Sequence, residues 1–355
     1  MDLDQLAGQT LVAGYPAGPA PKALRAALAA DALAGAILFK RNVGTPAETA
    51  AALATLREGA PGPTPLLCVD QEGGRVARLG PPVLALPPMR RLGERDDPAL
   101  TRRLGAELGR QLAAIGFTMD FAPVLDVDTN PANPVIGDRS FGRSPERVIR
   151  HGGAFAEGLL TGGVLPCGKH FPGHGDTDLD SHLALPTLRH DAARLEAVEL
   201  APFRALAARL PALMTAHVVY EALDPAVPAT LSRAVVTGLL REQLGYDGVV
   251  ISDDLEMKAV AEGWGVVEGA VAAIEAGCDL LLVCSDLDAC FQAREALARR
   301  ADRDVAFRAR LEEAAGRVRA LRAKAPSRAV APDALEATLA SDEARALETL
   351  LEEAA

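Results

Sequence analysis

The 355-residue sequence is poor in cysteine, and its five cysteines are an odd number with no Cys-x-x-Cys pair. This pattern excludes a disulfide framework and the common zinc sites, and it predicts buried thiols in a reducing compartment. Basic residues are also in deficit, 37 against 48 acidic ones, which gives a net charge of −11. A surface of that sign excludes nucleic acid as a partner, because phosphates need lysine and arginine contacts.

Long hydrophobic runs are absent as well. No stretch approaches the ~18 uninterrupted apolar residues that a membrane-spanning helix needs. The first five residues are acidic and lack the basic and apolar regions of a signal peptide. With 49% hydrophobic and 24% charged residues, the composition is that of a globular protein with a sizeable core. We therefore expect a cytoplasmic protein without a membrane partner.

Short apolar runs recur along the chain and predict eight strands. They cover residues 10–13, 36–39, 66–69, 117–121, 164–168, 212–216, 248–251 and 280–283. Segments with the helical period of 3.6 residues lie between most of them, such as 98–114, 145–160, 192–208 and 232–244. Strands that alternate with helices indicate βαβ units and a parallel sheet. The pattern predicts a single-domain, TIM-type (β/α)8 barrel over residues 1–300 rather than a doubly wound sheet.

Polar residues at the ends of the predicted strands favour the barrel further. They are Asp70, Asp120 with Asp126, Lys169 with His170, Thr215 with His217, and Asp253 with Asp254. A barrel aims all its strand ends at one point, whereas an open sheet would bring together only the strands beside its switch point. The glycine-rich patterns that bind nucleotide phosphates, GxGxxG after the first strand and GxxxxGK[ST], are missing from the sequence.

The tail of the chain, residues 301–355, is rich in alanine, glutamate, arginine and leucine and is predicted to be helical. Pro326 and Pro332 interrupt it, and Ser341 is a candidate cap for a last helix. The tail is too short for a second core of normal size. We expect its helices to pack on the outside of the barrel, and the alternative is a role in binding a partner.

The segment from Lys169 to His182 is the densest in chemistry. Its 14 residues hold one lysine, three aspartates and three of the six histidines in the chain. Within it, Asp180 and His182 are two residues apart, so both project to the same side of an extended loop. The carboxylate can then fix one imidazole nitrogen and leave the other for a substrate, which makes a proton donor and acceptor that works near neutrality.

Two aspartates, Asp253 and Asp254, end the predicted seventh strand, where barrels keep a nucleophile or a ligand-binding carboxylate. Neighbouring residues on a strand face opposite ways, so we expect only one of them to face the site. The other would cap the following helix. The periodicity leaves open which one does which.

Two further motifs lie at strand ends, residues 70–78 with Asp70 and its arginines, and residues 120–126 leading to 136–142. Their charged side chains could hold a hydroxyl-rich ligand or form a structural network of aspartates and arginines at the barrel mouth. His217 is equally a candidate ligand contact or a satisfied buried histidine. His151 and His190 are expected to face solvent.

These motifs together resemble the bacterial β-N-acetylhexosaminidases of glycoside hydrolase family 3, of the single-domain type. The matching segments are DQEGGRVAR (70–78), DFAPVLDVD (120–128), IGDRSFG (136–142), KHFPGHGDTDLDSH (169–182), MTAHV (214–218) and ISDDLEM (251–257). The resemblance implies a (β/α)8 fold and hydrolysis of terminal β-linked N-acetylglucosamine with retention. It also implies a part in the cytosolic recycling of peptidoglycan-derived cell-wall fragments.

Carried over position by position, the resemblance implies roles for individual residues. Asp253 matches the nucleophile, since more distant relatives keep an aspartate after the serine, and His182 with Asp180 matches the acid/base and its partner. The positions that match the sugar pocket are Asp70, Arg78, Arg139, Lys169, His170 and His217. The resemblance implies no metal and no cofactor, and we expect a monomer that binds N-acetylglucosamine-containing saccharides.

Three alternatives stay open at this point. A histidine as acid/base repels an incoming anion less than a carboxylate would, so phosphate could replace water and make the protein a phosphorylase. A metal-dependent hydrolase could use His170, His174 and His182, although their spacing is no recognised zinc pattern. A sugar-binding protein without catalytic activity is the third alternative.

Overall fold

Short strands alternate with helices along most of the chain in the computed structural model, which describes residues 2–60, 62, 64–181, 184–325 and 329–352. The strands are β1 Leu11–Ala13, β2 Gly35–Ile37, β3 Leu66–Val69, β4 Met119–Asp120, β5 Leu165–Phe171, β6 Thr187–Leu188, β7 Ala212–Thr215, β8 Val219–Tyr220, β9 Val249–Asp254 and β10 Leu280–Val283. Among them, β6 and β8 form a separate two-stranded parallel sheet that the sequence did not predict.

The other eight strands close into a parallel barrel in the order β1-β10-β9-β7-β5-β4-β3-β2. Closure is made by β1, which pairs with β10 through Val12 and Leu282 and with β2 through Val12 and Gly35. Apolar side chains fill the interior, among them Cys68, Met119 and Ile251, which are all fully buried. The predicted TIM-type (β/α)8 barrel is therefore confirmed.

Two strands run further than the apolar pattern predicted. In β5 the ladder continues through Lys169, which pairs with Met214, and in β9 it continues to Asp254, which pairs with Leu282. Polar residues thus occupy the last paired positions of these two strands rather than the loops that follow them. These positions can be polar because their side chains meet a cavity and one another rather than the apolar core.

Helices cover the outside of the barrel. The longer ones are Pro46–Arg57, Pro98–Ile115, Pro145–Gly162, Val266–Ala276, Leu287–Arg303, Val305–Lys324 and Asp342–Glu352. Shorter helices are Leu3–Gly8, Lys22–Ala29, Met89–Arg95, Ala192–Arg194, Ala201–Leu206, Lys258–Ala261 and Pro332–Leu339. Local signals start several of them: Thr45 and Glu48 form a capping box, and the Asp97 side chain accepts from the backbone of Leu100.

The predicted helix 192–208 is interrupted. It contains a π-helical stretch, Leu195–Glu199, before the α-helix Ala201–Leu206 and a 3₁₀ turn, Ala207–Arg209. Pro202 has no backbone N–H, and its ring would clash with the carbonyl four residues earlier, so a regular helix cannot continue through it. The predicted helix 232–244 is also π-helical, over Ala234–Gln243.

The tail helices take different positions. Val305–Lys324 covers the amino-terminal end of the barrel, where Val318 and Leu321 join the interior cluster. The last two helices pack on Pro98–Ile115, and Ser341 accepts from the backbone N–H of Ala344 at 3.1 Å, which confirms it as a cap. The predicted boundary at residue 300 falls inside helix Leu287–Arg303.

All five cysteines lie in the described part of the chain, where they are buried free thiols, as predicted. Across the same residues, no helix combines the length and the apolarity needed to cross a bilayer.

Candidate active site

A cavity of about 310 Å³ lies at the carboxyl ends of the barrel strands. Twelve of its 22 lining residues lie at or near those ends: Ile37, Phe39, Asp70, Glu72, Phe121, Lys169, His170, Met214, Asp253, Asp254, Leu282 and Cys284. Connecting segments add Arg75, Val76, Arg78, Pro134, Val135, Arg139, His174, Asp180, Ser181 and Met257. Of the strand-end polar residues predicted to converge, the cavity lining includes Asp70, Lys169, His170, Asp253 and Asp254, but not Asp120, Asp126, Thr215 or His217. The volume of the cavity suits a small ligand.

A chain of alternating charges forms one wall of the cavity. The Lys169 ammonium lies 2.9 Å from Asp70 Oδ1 and 2.5 Å from Glu72 Oε1. Arg78 Nη2 donates to Asp70 Oδ2 at 3.1 Å, and Arg139 donates to both oxygens of Glu72 at 2.8 Å. Each buried carboxylate thus has two cationic partners, and four of the five side chains, all except Glu72, come from the predicted site.

These ion pairs keep the wall ionised. Burial alone raises the pKa of Asp70 and of Glu72, but the charges of Lys169 and an arginine outweigh it and hold both pKa values below their ordinary range. Burial works against the charged form of Lys169 too, yet the two carboxylates raise its pKa above the usual value. At neutral pH the wall therefore offers both strong hydrogen-bond donors and strong acceptors.

His170 is oriented by the buried carboxylate of Asp126. Asp126 Oδ2 accepts from Nδ1 of His170 at 2.7 Å, while Oδ1 accepts from the backbone N–H of His170 at 3.2 Å and of His174 at 2.7 Å. Because a carboxylate only accepts, Nδ1 carries a proton and Nε2 is the nitrogen left for a ligand. The pairing also lowers the pKa of Asp126 against the effect of burial.

Asp253 and Asp254 both line the cavity, which differs from the expectation that only one would face it. The Asp254 carboxylate accepts from the backbone of Glu256 at 3.1 Å and of Cys284 at 3.2 Å, so it fixes the strand end rather than capping a helix. Burial raises its pKa to about 7. Burial acts the same way on Asp253, but the charges of His217 and His170 outweigh it and lower its pKa. Of the two, Asp253 is therefore the more fully ionised carboxylate at neutral pH.

Asp180 and Ser181 lie on the cavity lining together with Asp253. His182, the predicted acid/base, lies outside the described residues, so the Asp180–His182 dyad stays a prediction. Before them, Gly175 passes so close to the neighbouring backbone that a Cβ atom there would lie 1.9 Å from the Val127 carbonyl oxygen. Only glycine fits this approach, which carries the segment past the cavity.

The remaining described histidines lie outside the cavity lining, and His217 has one of its two expected environments, that of a satisfied buried histidine. His217 lies behind the strand end rather than in the described cavity lining, and its ring nitrogens contact Thr230 Oγ1 at 2.8 Å and the Asp254 carbonyl at 2.9 Å. The prediction that His151 faces solvent is wrong, since it is fully buried against Thr101 and Phe141. His190 is half-buried and paired with Asp176.

Two functional residues were missed by the sequence reasoning. Glu72 is buried and binds both Lys169 and Arg139. A signal for it existed, because Asp70 and Glu72 are two residues apart and so project to the same side of an extended segment. Phe39 was missed because it looked like core; its ring lies 5.2 Å from the Arg78 guanidinium carbon, a cation–π contact that holds Arg78 over the cavity.

Comparison with known proteins identifies relatives of the whole barrel. The family model “Glycosyl hydrolase family 3 N terminal domain” matches residues 4–321. A “Beta-hexosaminidase” from Thiobacillus denitrificans is 44% identical over 258 residues, which is 71% of each chain. One from Chromobacterium violaceum is 40% identical over 306 residues, covering 84% of each.

Solved structures give the same result. A glycoside hydrolase family 3 β-N-acetylglucosaminidase from a Paenibacillus species matches with a TM-score of 0.93 at 42% identity, over 100% of this chain and 69% of that one. NagZ from Neisseria gonorrhoeae, in complex with N-trifluoroacetyl-D-glucosamine, matches with a TM-score of 0.81 at 33% identity, over 97% of both chains.

Proposed function

Since this chain belongs to glycosyl hydrolase family 3, we propose that it removes terminal β-linked N-acetylglucosamine from saccharides with retention of configuration. The chain is a glycosidase, and its similarity to β-hexosaminidases supports that general class of activity. The observation that carries the finer proposal is the placement of Asp253 and Asp180 on the lining of one cavity of pyranose size.

The proposed first step forms a covalent intermediate. The ionised Asp253 carboxylate attacks the anomeric carbon, the bond to the leaving oxygen breaks, and His182 gives that oxygen its proton. The lowered pKa of Asp253 supports this role, because a nucleophile must be unprotonated at neutral pH. In the second step, water loses a proton to His182 and attacks the glycosyl ester, which releases Asp253 and restores His182.

The charged wall supplies the groups that would hold the sugar. Carboxylate oxygens of Asp70 accept hydrogen bonds from hydroxyls, while Lys169, Arg139 and the His170 ring can bind sugar oxygens. Because positive and negative side chains alternate, the wall suits a neutral ligand with many hydroxyls rather than a strongly charged one. Hydrogen bonds to a hydroxyl next to the anomeric carbon strengthen in the transition state.

A phosphorylase would differ in the second step, where phosphate instead of water would accept the glycosyl group. We expect 4-nitrophenyl β-N-acetylglucosaminide to yield free N-acetylglucosamine at the same rate with and without phosphate, since water is the acceptor. Product analysis by mass spectrometry measures this. Sugar 1-phosphate as the main product would overturn the hydrolase proposal, and sugar binding without any product would favour the inactive sugar-binding protein.

A chelator distinguishes the metal-dependent alternative. We expect EDTA to leave the hydrolysis rate unchanged, because Nδ1 of His170 and both ring nitrogens of His174 are bonded to protein groups. Within the described residues, moreover, acidic, cysteine and histidine side chains form no group of three arranged around a metal ion. Loss of activity with EDTA and its return with zinc would contradict this.

The biological substrate is proposed from the family. Muropeptides derived from peptidoglycan carry the terminal β-linked N-acetylglucosamine that this site would take, and we propose that a monomer of this protein recycles them in the cytoplasm. Release of N-acetylglucosamine from purified muropeptides, followed by mass spectrometry, tests this substrate.

A further inference from the structure

His174 contacts the segment that carries the acid/base pair. It is buried on the cavity lining, and both of its ring nitrogens are engaged. Nδ1 lies 2.8 Å from Thr177 Oγ1, and Nε2 lies 3.1 Å from Ser181 Oγ. Ser181 stands between Asp180 and His182 in the chain, so this ring contacts the residue between the two proposed acid/base groups.

The His174 ring is itself held by groups on the sugar side of the cavity. Its backbone N–H donates to Asp126, the carboxylate that also orients His170. The Asn133 side chain donates to the His174 carbonyl at 3.0 Å and to Thr177 Oγ1 at 3.2 Å. The imidazole rings of His170 and His174 lie edge to face with centroids 5.8 Å apart. A continuous set of contacts thus joins the sugar-binding His170 to Ser181.

The protonation state of His174 fits a fixed support. Burial lowers its pKa to about 4, so the ring is neutral at the pH of the reaction. A neutral imidazole has one donor and one acceptor nitrogen. The hydroxyls of Thr177 and Ser181 can each donate or accept, so they complement either tautomer and leave neither nitrogen unsatisfied. The ring therefore does not exchange protons with the substrate itself.

We propose that His174 is a positioning residue for the acid/base segment 180–182, acting through its hydrogen bond to the Ser181 hydroxyl. This inference rests on the proposed function, because it assigns His174 a part in proton delivery to the leaving group. The proposed role of His174 differs from that of His170, which would contact the sugar. It also differs from that of a metal ligand, whose nitrogen would have to be free to bind the ion.

Two substitutions separate the Ser181 contact from the rest of the ring. The amide of glutamine reaches the place of Nε2, whereas the amide of asparagine reaches only that of Nδ1. His174→Gln therefore keeps a group for Ser181, and His174→Asn keeps one for Thr177 alone. Ser181→Ala removes the other partner with the loss of a single oxygen, so it gives an independent test if a change at His174 disturbs folding.

Leaving-group dependence is the measurement, because a good leaving group needs no proton from the acid. We expect Ser181→Ala and His174→Asn to lower kcat/KM roughly 30-fold on the phenyl glycoside, and less than about 3-fold on the 2,4-dinitrophenyl glycoside. His174→Gln should stay within about 3-fold of the wild type on both substrates. The double variant Ser181→Ala/His174→Asn should lower kcat/KM no further than either single substitution, since both remove the same hydrogen bond.

Other results would overturn the inference. Equal losses on both substrates would assign His174 a merely structural role, and unchanged values in Ser181→Ala would remove the proposed link. If the wild type cleaves both glycosides and these variants keep its ratio, only this inference fails. If the wild type cleaves neither glycoside, the proposed function fails and the inference fails with it.

Discussion

Asp253→Ala is expected to abolish turnover while the barrel stays folded. Without the carboxylate no glycosyl ester forms, and loss of a nucleophile lowers kcat by at least about 10⁴-fold in comparable enzymes. The fold should survive, because the Asp253 side chain accepts a hydrogen bond from the backbone N–H of its own neighbour, Asp254, at 2.8 Å. Rates with 4-nitrophenyl β-N-acetylglucosaminide and a thermal unfolding curve measure the two expectations.

Asp254→Ala is the matched control for that substitution. Asp254 lies on the same cavity, but its carboxylate is occupied with the backbone of Glu256 and Cys284, and its pKa is raised to about 7. We expect it to keep activity within about 100-fold of the wild type. If Asp254→Ala loses activity and Asp253→Ala keeps it, the assignment of the nucleophile is wrong. A trapped glycosyl ester on the peptide containing Asp253 would identify the nucleophile directly.

Lys169→Met is expected to reduce both stability and sugar binding. Its ammonium lies between Asp70 and Glu72, and methionine of similar length would leave these two buried carboxylates facing each other. Removing one partner of a buried ion pair costs about 3–5 kcal/mol, and we expect the lower end because Arg78 and Arg139 remain. Loss of a charged hydrogen bond to the sugar should lower kcat/KM roughly 100-fold.

Lys258→Met gives the matched control for Lys169→Met. Lys258 is exposed, and its ion pair with Glu262 is 3.5 Å long. Such a surface pair contributes less than about 1 kcal/mol, so unfolding and kinetics should stay close to the wild type. Urea unfolding curves and kcat/KM for both variants measure the difference. Equal stability of Lys169→Met and Lys258→Met would contradict the role given to the buried ammonium.

The strand-end pattern predicted much of this site because the barrel topology brings the carboxyl ends of its strands together. Asp70, Lys169 and Asp253 are far apart in sequence, yet each lies close to the carboxyl end of an apolar run. Once the barrel was inferred, their convergence followed without any knowledge of side-chain positions. The same reasoning could not choose between Asp253 and Asp254, because that choice depends on which backbone groups each carboxylate meets.

The errors came from residues whose partners are distant in sequence. His151 looked exposed because it is a polar residue on a surface helix, but it shares the buried face of helix Pro145–Gly162 with Val148 and Phe155. Thr101 and Asp96, from an earlier part of the chain, satisfy its ring nitrogens. Glu72 was overlooked for the same reason, since its role in the charged wall depends on Arg139 and Lys169, which lie on other elements.

Helix Val305–Lys324 limits how far the carboxyl-terminal part of the chain could be truncated without loss of the fold. Because Val318 and Leu321 complete the packing inside the barrel, a fragment that stops after the eighth strand and its helix would expose hydrophobic side chains to water. The buried Arg322, 2.8 Å from Asp31, ties the same helix to the beginning of the chain. A fragment that keeps the barrel packed must therefore include this helix, and the packing around Asp31 near the beginning of the chain depends on it.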